Sequence, residues 1–275
     1  MNNIVKRSLS GIAFLLVMCG AILWCKYAFA VLFCLIMTVM MYEFQRMTMG
    51  KRYWFSQLLS IAPAITLFML TFLFECGVLP HKLILIAFIP FFIVMIDSLY
   101  VKDKTDFGIF ANLYTALLYI AIPMTLSIFA VFDPDGTYDG MHLLSFFIII
   151  WASDVGAYVF GISLGQKYGK KLFPSISPKK SWIGFWGGFA TALATGAVLW
   201  KLGTLQMSLP VALGLAAIMN VAGVYGDLIE SQWKRHFEIK DSGNIIPGHG
   251  GMLDRFDSAL TAIPTGLLYL MIVGA

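Results

Sequence analysis

Residues 8–44 read SLSGIAFLLVMCGAILWCKYAFAVLFCLIMTVMMYEF, and the only charged residues in this stretch are Lys26 and Glu43. A helix needs about 20 mostly apolar residues to cross the hydrocarbon core of a bilayer. The two apolar runs on either side of Lys26, 8–25 and 27–44, approach that length. They are joined so closely that we expect a hairpin of membrane-spanning helices. No small-residue cleavage site lies between them, so the first run is interpreted as a spanning helix and not as a signal peptide.

The rest of the chain has the same composition. Hydrophobic residues make up 59% of the 275 residues and charged residues only 12%, whereas a soluble domain carries about 25% charged residues. Further apolar runs of nearly spanning length lie at 55–76, 83–99, 108–131, 142–164, 182–200, 207–228 and 257–274. The sequence therefore predicts an all-α fold, a polytopic membrane helical bundle with about nine transmembrane helices.

The distribution of basic residues predicts the orientation of this bundle. Cytoplasmic connections of membrane proteins carry an excess of Lys and Arg. With a cytoplasmic N-terminus, 16 of the 19 basic residues fall on the cytoplasmic side, and Lys26, Lys82 and Lys201 fall outside. Two of the cytoplasmic connections, 165–181 and 229–255, are long and rich in Gly, Lys and Pro. We therefore expect the N-terminus, and with it both long loops, to face the cytoplasm.

The segment 226–258 concentrates carboxylates. It reads GDLIESQWKRHFEIKDSGNIIPGHGGMLDRFDS and holds six of the 15 acidic residues of the chain. Asp227 and Glu230 stand three positions apart, as do Asp254 and Asp257, and residues at that spacing share a helix face. Grouped carboxylates repel each other unless a cation lies among them, and Mg²⁺ prefers oxygen ligands. The segment therefore predicts that these four residues bind Mg²⁺, with or without a second cation; the alternative is a solvated loop with charged helix ends.

Glycines in the same segment predict a binding site for an anion. They surround a proline and a histidine, and the residues concerned are Gly243, Pro247, Gly248, His249, Gly250 and Gly251. Glycine allows backbone N–H groups to approach an anion closely. A phosphate bound beside a cation explains both features of the segment better than a solvated loop does.

The fixed positions of this segment resemble the signature of the phosphatidate cytidylyltransferase family, whose members are also called CDP-diacylglycerol synthases. The matching positions are Ser231, Lys234, Arg235, Lys240, Asp241, Gly243, Pro247, His249, Gly250, Gly251, Asp254, Arg255 and Asp257. The signature is specific because many residues are fixed at a fixed spacing. Trp233 departs from it, since an aliphatic residue or Phe is usual at that position.

Two upstream elements extend the resemblance, which covers residues 150–258. The sequence SPKKSW at 177–182 is similar to the family's Ser-Pro-x-Lys-Thr/Ser-Trp-Glu-Gly element, although Ile183 replaces the family's Glu. Ser153 and Asp154 match a further family element. Asp154 also lies in an otherwise apolar span, where ionisable residues are costly and usually functional. We therefore include Asp154 in the predicted site.

The resemblance implies transfer of a cytidylyl group from CTP to phosphatidate, giving CDP-diacylglycerol and pyrophosphate for phospholipid synthesis. The nucleophile is then a phosphate oxygen that is already anionic at neutral pH, so catalysis depends on positioning and charge neutralisation. The implied catalytic residues are Asp227, Lys240, Asp241, Asp254 and Asp257. The implied substrate- and phosphate-binding residues are Asp154, Ser177, Lys179, Lys180, Ser181, Lys234, Arg235, His249, Gly250, Gly251 and Arg255.

The expected partners follow from the same resemblance: CTP, phosphatidate and the lipid bilayer, with no nucleic acid, while a homodimer is compatible with the sequence. We expect a multi-pass protein of the cell inner (cytoplasmic) membrane whose active site faces the cytoplasm. Within one membrane-embedded unit, residues 1–140 are expected to form N-terminal transmembrane helices. Residues 141–275 are expected to form a C-terminal transmembrane catalytic region with cytoplasmic loops at 165–181 and 229–255.

An ion-coupled membrane transporter is the alternative function, suggested by the many spans and by Asp154. A transporter places its site near mid-bilayer between structural repeats, whereas here the polar residues crowd one surface and no internal repeat is visible. A CDP-alcohol phosphotransferase would need its own aspartate-rich motif, which the sequence lacks. Glu43 and Asp97, which end two of the spans, are interpreted as interfacial salt-bridge partners.

Overall fold

The structure is a computed structural model that describes residues 3–100, 107–133, 135–166, 169–246, 248 and 250–274. Most of these residues are helical, which confirms the all-α class. The helices are α1 (Asn3–Trp24), α2 (Lys26–Met49), α3 (Trp54–Glu75), α4 (His81–Tyr100), α5 (Gly108–Ala130), α6 (Gly140–Gly165), α7 (Trp182–Lys201), α8 (Leu209–His236), α9 (Leu253–Phe256) and α10 (Ala259–Val273).

Eight segments of the described chain are long and apolar enough to cross a membrane. They are the helices α2 to α8 and the stretch Leu253–Val273, in which α10 follows α9. The apolar part of α1, Leu9–Trp24, is shorter than these segments. The polytopic membrane bundle is thus confirmed, while the count of about nine spans and the cytoplasmic N-terminus remain predictions.

The chain forms two compact units, of which the first contains Met1–Gly140 and Asp241–Arg255. Aromatic side chains of α2 and α3 fill the core of this unit. The ring of Phe29 lies 4.4 Å from that of Phe33 and 6.5 Å from that of Phe68, and all three side chains are fully buried. Burial of large apolar side chains away from both lipid and water packs α2 tightly against its neighbours.

The second unit contains Met141–Lys240 and Phe256–Ala275. In this unit α8 packs against α7 and α10, and small residues allow the helices to approach closely. A Cβ atom at Gly196 of α7 would lie 2.9 Å from Cβ of Ala216, and one at Gly188 would lie 2.8 Å from the carbonyl oxygen of Ser153. Glycine at such contacts is typical of helix interfaces in membranes. These contacts bring α6, α7 and α8 together.

The predicted loop 165–181 contains a β-hairpin. Strand β1 (Lys171–Phe173) pairs antiparallel with strand β2 (Ser177–Ser181). The hairpin places Lys179 and Lys180 on a hydrogen-bonded strand that leads directly into α7. The two lysines therefore have a defined backbone, although the sequence predicted only a long polar connection here.

Helix α8 continues to His236, so residues 229–236 of the predicted second loop are helical. The sequence becomes polar near residue 229, but the backbone remains helical. Contacts between side chains four positions apart stabilise the polar part: Ser231 Oγ donates to Asp227 Oδ1 at 3.2 Å, and Lys234 forms an ion pair with Glu230. Such pairs stabilise a helix. The fall in hydrophobicity marks the end of the apolar run and not the end of the helix.

Candidate active site

The second unit contains a cavity of about 580 Å³. Its walls come from α6, the hairpin, α7 and α8. Polar side chains that the sequence singled out line it, namely Asp154, Lys179, Lys180, Ser181 and Asp227. The apolar lining comprises Ala157, Ile162, Leu172, Phe185 and Val224 together with the ring of Tyr158. A cavity with cations and carboxylates beside an apolar wall suits an amphiphilic phosphorylated substrate.

The centre of the polar lining is an ion pair between β2 and α8. Lys180 Nζ lies 2.5 Å from Asp227 Oδ2, and 25% of the lysine side chain and 34% of the aspartate side chain remain exposed. The other carboxylate oxygen of Asp227 accepts a hydrogen bond from Ser231 Oγ. Asp227 was predicted at the end of a helix, but it lies well inside α8. A position inside a long helix fixes its backbone firmly.

Asp154 reaches the same cavity from α6, and a buried polar contact fixes the helix beside it. Asn220 Nδ2 donates to Ser153 Oγ at 2.6 Å, and both residues are buried. A hydrogen bond between buried side chains in neighbouring membrane helices contributes about 0.6 kcal/mol on average. This contact joins α6 to α8 one residue away from Asp154, whose side chain is exposed in the cavity.

Asp257 adds a third carboxylate to this neighbourhood. It lies between α9 and α10, where its Oδ1 accepts a hydrogen bond from the N–H of Ser258 at 2.6 Å. Its charge interacts with those of Asp227 and Asp154, and with the Lys234 ammonium. Carboxylates whose charges repel one another favour a cation near them, and Mg²⁺ commonly takes one or two carboxylates and completes its shell with water and substrate phosphates. Asp227 and Asp257 thus have the oxygen donors that such an ion prefers, although they do not form a complete site.

The described residues do not provide a complete metal centre. No group of three or more His, Cys, Asp or Glu side chains in this part of the chain surrounds one point at ligand distance. Glu230, predicted as a fourth ligand, is fully buried and forms an ion pair with Lys234. It is not among the residues that line the cavity. Asp154 and Asp227 therefore line one cavity and the charge of Asp257 interacts with theirs, whereas Glu230 is not part of the cavity lining.

Two residues predicted to bind phosphate have structural contacts in the hairpin region. The side chain of Ser181 is buried and caps α7, because its Oγ accepts a hydrogen bond from the Gly184 N–H at 3.2 Å. Arg235 Nε donates to the carbonyl oxygen of Ile176 at 3.3 Å, which ties the end of α8 to the hairpin turn. Ser177 begins β2. A role of these residues toward substrate remains a prediction.

In the first unit, Asp254 binds the backbone of its own segment. Its Oδ2 accepts hydrogen bonds from the N–H of Gly251 at 2.7 Å, and from the N–H and Oγ of Ser242, each at 3.0 Å. The sequence predicted that the glycine-rich stretch offers its N–H groups to a phosphate. That of Gly251 is instead donated to Asp254, because the protein supplies its own anion there.

The remaining residues predicted for the site are at least partly exposed or lie outside the residues that the structure describes. The side chains of Lys240, Asp241 and Arg255 are exposed, and Gly250 has a positive φ of 83°. A Cβ atom at Gly250 would lie 2.7 Å from Asp254 Oδ2, so a larger residue would disturb that carboxylate. His249 lies outside the described residues, as does Pro247.

Glu43 has contacts that its position in the sequence did not predict. It was interpreted as an interfacial salt-bridge partner, but its side chain is buried in the first unit and accepts hydrogen bonds from residues 242, 252 and 253. That interpretation is wrong for the described contacts, which are to backbone N–H groups and a hydroxyl. The signal was present in the sequence, since Glu43 is a carboxylate in an apolar run, as Asp154 is.

The fold defines a class of protein, a polytopic membrane protein, and its cavity brings lysines and carboxylates to one wall. The particular family follows from the comparison with known sequences. Residues 5–273 match the sequence profile of the cytidylyltransferase family. Because this match covers nearly the whole chain, the protein belongs to that family.

Curated relatives in this family are named phosphatidate cytidylyltransferase. The chain is 36% identical to one from Staphylococcus aureus over 183 residues, which make up 66% of each chain. It is 36% identical to one from Staphylococcus epidermidis over 182 residues, with the same coverage of 66%. Identity to one from Staphylococcus saprophyticus is 42% over 136 residues, or 49% of this chain and 50% of the relative. The chain thus spans just under two thirds of the length of the first two relatives.

Proposed function

We propose that this protein transfers a cytidylyl group from CTP to phosphatidate, giving CDP-diacylglycerol and pyrophosphate. One observation carries the proposal: a single cavity combines the cations Lys179 and Lys180 with the carboxylates Asp154 and Asp227 beside an apolar wall. Family membership and the names of the relatives support the same reaction. Neither the family nor the charged lining gives support to the transporter hypothesis.

The reaction joins two anions, and the residues of the cavity suit that difficulty. A phosphate oxygen of phosphatidate attacks the α-phosphorus of CTP, a new P–O bond forms, and the bond to pyrophosphate breaks. The nucleophile is already ionised at neutral pH, so a strong general base is not required. Lys179 and Lys180 neutralise phosphate charge, which lowers the barrier by electrostatic stabilisation and positioning.

The carboxylates are proposed to bind the divalent cation. Asp227 and Asp257 would hold it, with Asp154 nearby, and Asp254 from the signature remains a candidate in its own unit. When bound, Mg²⁺ supplies neutralisation of charge on the phosphates. The residues of the chain do the remaining work: the lysines bind phosphate oxygens, and Ser231 orients the Asp227 carboxylate through its hydrogen bond.

The proposed location is the cytoplasmic membrane, with the cavity open to the cytoplasm. Two arguments support this side: CTP is a cytoplasmic nucleotide, and the basic residues of the hairpin region fall on the cytoplasmic side by charge distribution. The apolar lining of the cavity is where the lipid substrate would enter from the bilayer. A homodimer remains compatible with the sequence.

Lipid labelling with CTP tests the reaction. Purified protein in detergent receives phosphatidate, Mg²⁺ and CTP labelled with ³²P at either the α- or the γ-phosphate. We expect α-label to enter a lipid that co-migrates with CDP-diacylglycerol, and γ-label to leave as pyrophosphate. Label from γ-³²P in the lipid would indicate phosphoryl transfer instead. Absence of lipid label from both nucleotides, with folded protein, would contradict the proposed function.

A further inference from the structure

Glu43 contacts the signature segment of the first unit through two backbone N–H groups and through the Ser242 hydroxyl, whose single hydrogen is shared with Asp254. Its Oε1 accepts from the N–H of Met252 at 3.0 Å, and its Oε2 accepts from the N–H of Leu253 at 2.9 Å and from Ser242 Oγ at 3.3 Å. The side chain is only 3% exposed. Both carboxylate oxygens therefore act as acceptors, although Glu43 belongs to α2 and its partners lie in Asp241–Arg255.

Two glycines of the signature make room for this carboxylate. A Cβ atom at Gly243 would lie 2.8 Å from Glu43 Cδ, and one at Gly251 would lie 2.6 Å from Glu43 Oε2. Such distances are well below van der Waals contact, so a side chain at either position would displace the carboxylate or the segment. Glycine at these two positions therefore leaves space for the Glu43 carboxylate.

The energetics favour a specific role over general packing. The N–H groups of Met252 and Leu253 lie at the start of α9, where backbone donors have no partner within the helix. The Glu43 side chain satisfies these two donors, which would otherwise be left without an acceptor. Asp254 binds the other side of the same segment through Ser242 and Gly251. Two carboxylates, one from α2 and one from the segment itself, therefore fix its backbone.

We propose that Glu43 is a positioning residue for the reaction, which fixes the backbone of Asp241–Arg255 from α2 and does not itself touch substrate. The segment carries Asp241, Asp254 and Arg255, which the signature assigns to the site. The catalytic consequence rests on the proposed function, whereas the fixation of the backbone does not. The two parts can therefore be tested separately.

Hydrogen exchange tests the fixation without reference to activity. In Glu43→Gln, the amide NH₂ replaces one acceptor oxygen, so one of the N–H groups of Met252 and Leu253 loses its partner. We expect amide exchange of the peptide covering 241–255 to accelerate by about tenfold, the effect of leaving one backbone donor without its acceptor. Exchange in α7 should stay unchanged. The matched control is Gln45→Met, which removes a buried hydrogen bond from α2 to Ser60 (2.6 Å).

Steady-state kinetics test the catalytic consequence. We expect Glu43→Gln to lower kcat for CDP-diacylglycerol formation by about 10- to 100-fold with little change in KM for CTP, because correct positioning matters most in the transition state. Gln45→Met should retain kcat at a comparable thermal midpoint. Ser242→Ala, which removes only the hydroxyl that donates to Glu43 and Asp254, is the milder variant to use if Glu43→Gln does not fold.

The outcomes separate the two proposals. Unchanged exchange over 241–255 in a folded Glu43→Gln or Ser242→Ala protein would overturn the fixation and with it the positioning role. Faster exchange with wild-type kcat would overturn the positioning role alone. A wild-type protein that forms no CDP-diacylglycerol would overturn the proposed function, while the exchange result would still decide whether Glu43 fixes the segment.

Discussion

Lys180 Nζ lies 2.5 Å from Asp227 Oδ2, so a lysine of the hairpin is paired with a carboxylate inside α8 on the wall of one cavity. In the proposed reaction a substrate phosphate would compete with Asp227 for the lysine, and a cation would compete with Lys180 for the carboxylate. If phosphate and cation bound together, every charge would keep an opposite partner. The pair would then favour joint binding of nucleotide and metal over binding of either alone.

The first prediction concerns Lys180→Ala. We expect kcat/KM to fall by about 10- to 100-fold, because a charge-assisted phosphate contact is worth about 1.5–3 kcal/mol. Lys179 is more exposed and has no ion pair among the described contacts, so Lys179→Ala should have the smaller effect. The measurement is initial rate against CTP and against phosphatidate. The control for loss of a positive charge from the hairpin is Lys171→Ala on β1. Equal effects of all three variants would contradict a specific role of Lys180.

The second prediction concerns Asp227→Asn. Asn keeps the shape of the side chain but loses its charge, so we expect most activity to be lost and the half-saturating Mg²⁺ concentration to rise. Stability should change little, since a partly exposed ion pair contributes about 0–1 kcal/mol. The assay measures lipid labelling over a Mg²⁺ series together with the thermal midpoint. The control is Glu238→Gln, because Glu238 is exposed and lies outside the cavity lining. Near-wild-type activity of Asp227→Asn would exclude a role of Asp227 in metal binding.

The helices of this protein could be predicted from local composition, and the site only in part. Apolar runs of spanning length specify membrane helices because the bilayer leaves few other structures. The polar end of α8 was missed, since residues 229–236 lose hydrophobicity while contacts such as that between Glu230 and Lys234 keep them helical. The spacing of side chains that interact four positions apart, and not hydropathy, indicates that these residues are helical.

Long-range contacts account for what the site prediction lacked. The hydroxyl of Ser242 and the carboxylate of Glu43 are 199 positions apart in the chain, and no local pattern links them. Likewise, spacing grouped Glu230 with Asp227, but burial of Glu230 against Lys234 separates it from the cavity. The signature indicated which residue types the chemistry needs, whereas packing decides which of them meet.

The third prediction concerns topology. In a protein whose native cysteines are replaced, Thr137→Cys should react with an impermeant thiol reagent added outside the cell, and Asn244→Cys should react only after permeabilisation. Both positions are exposed. They are better probes than the neighbouring glycines, because Gly136 has a positive φ of 82° and a side chain at Gly243 would collide with Glu43.

The matched sites also decide the orientation of the chain. The permeabilised sample shows that each cysteine is reactive, so a negative result from outside is meaningful. Labelling of Asn244→Cys in intact cells would place the signature segment outside, where CTP is not available. That result would contradict both the cytoplasmic N-terminus and the cytoplasmic active site.

The last prediction separates the two roles considered for Glu230. Its side chain is 1% exposed and that of Lys234 is 14% exposed, and removal of one partner of a buried ion pair costs about 3–5 kcal/mol. Glu230→Gln should therefore lower the thermal midpoint markedly. Glu230→Met combined with Lys234→Met should recover most of that loss, because apolar side chains of similar volume remove both charges. A metal ligand would behave differently: Glu230→Gln would keep its midpoint and need more Mg²⁺. If Glu230→Gln keeps activity per folded protein while the stable double variant loses it, Lys234 contributes to substrate binding as the signature implies.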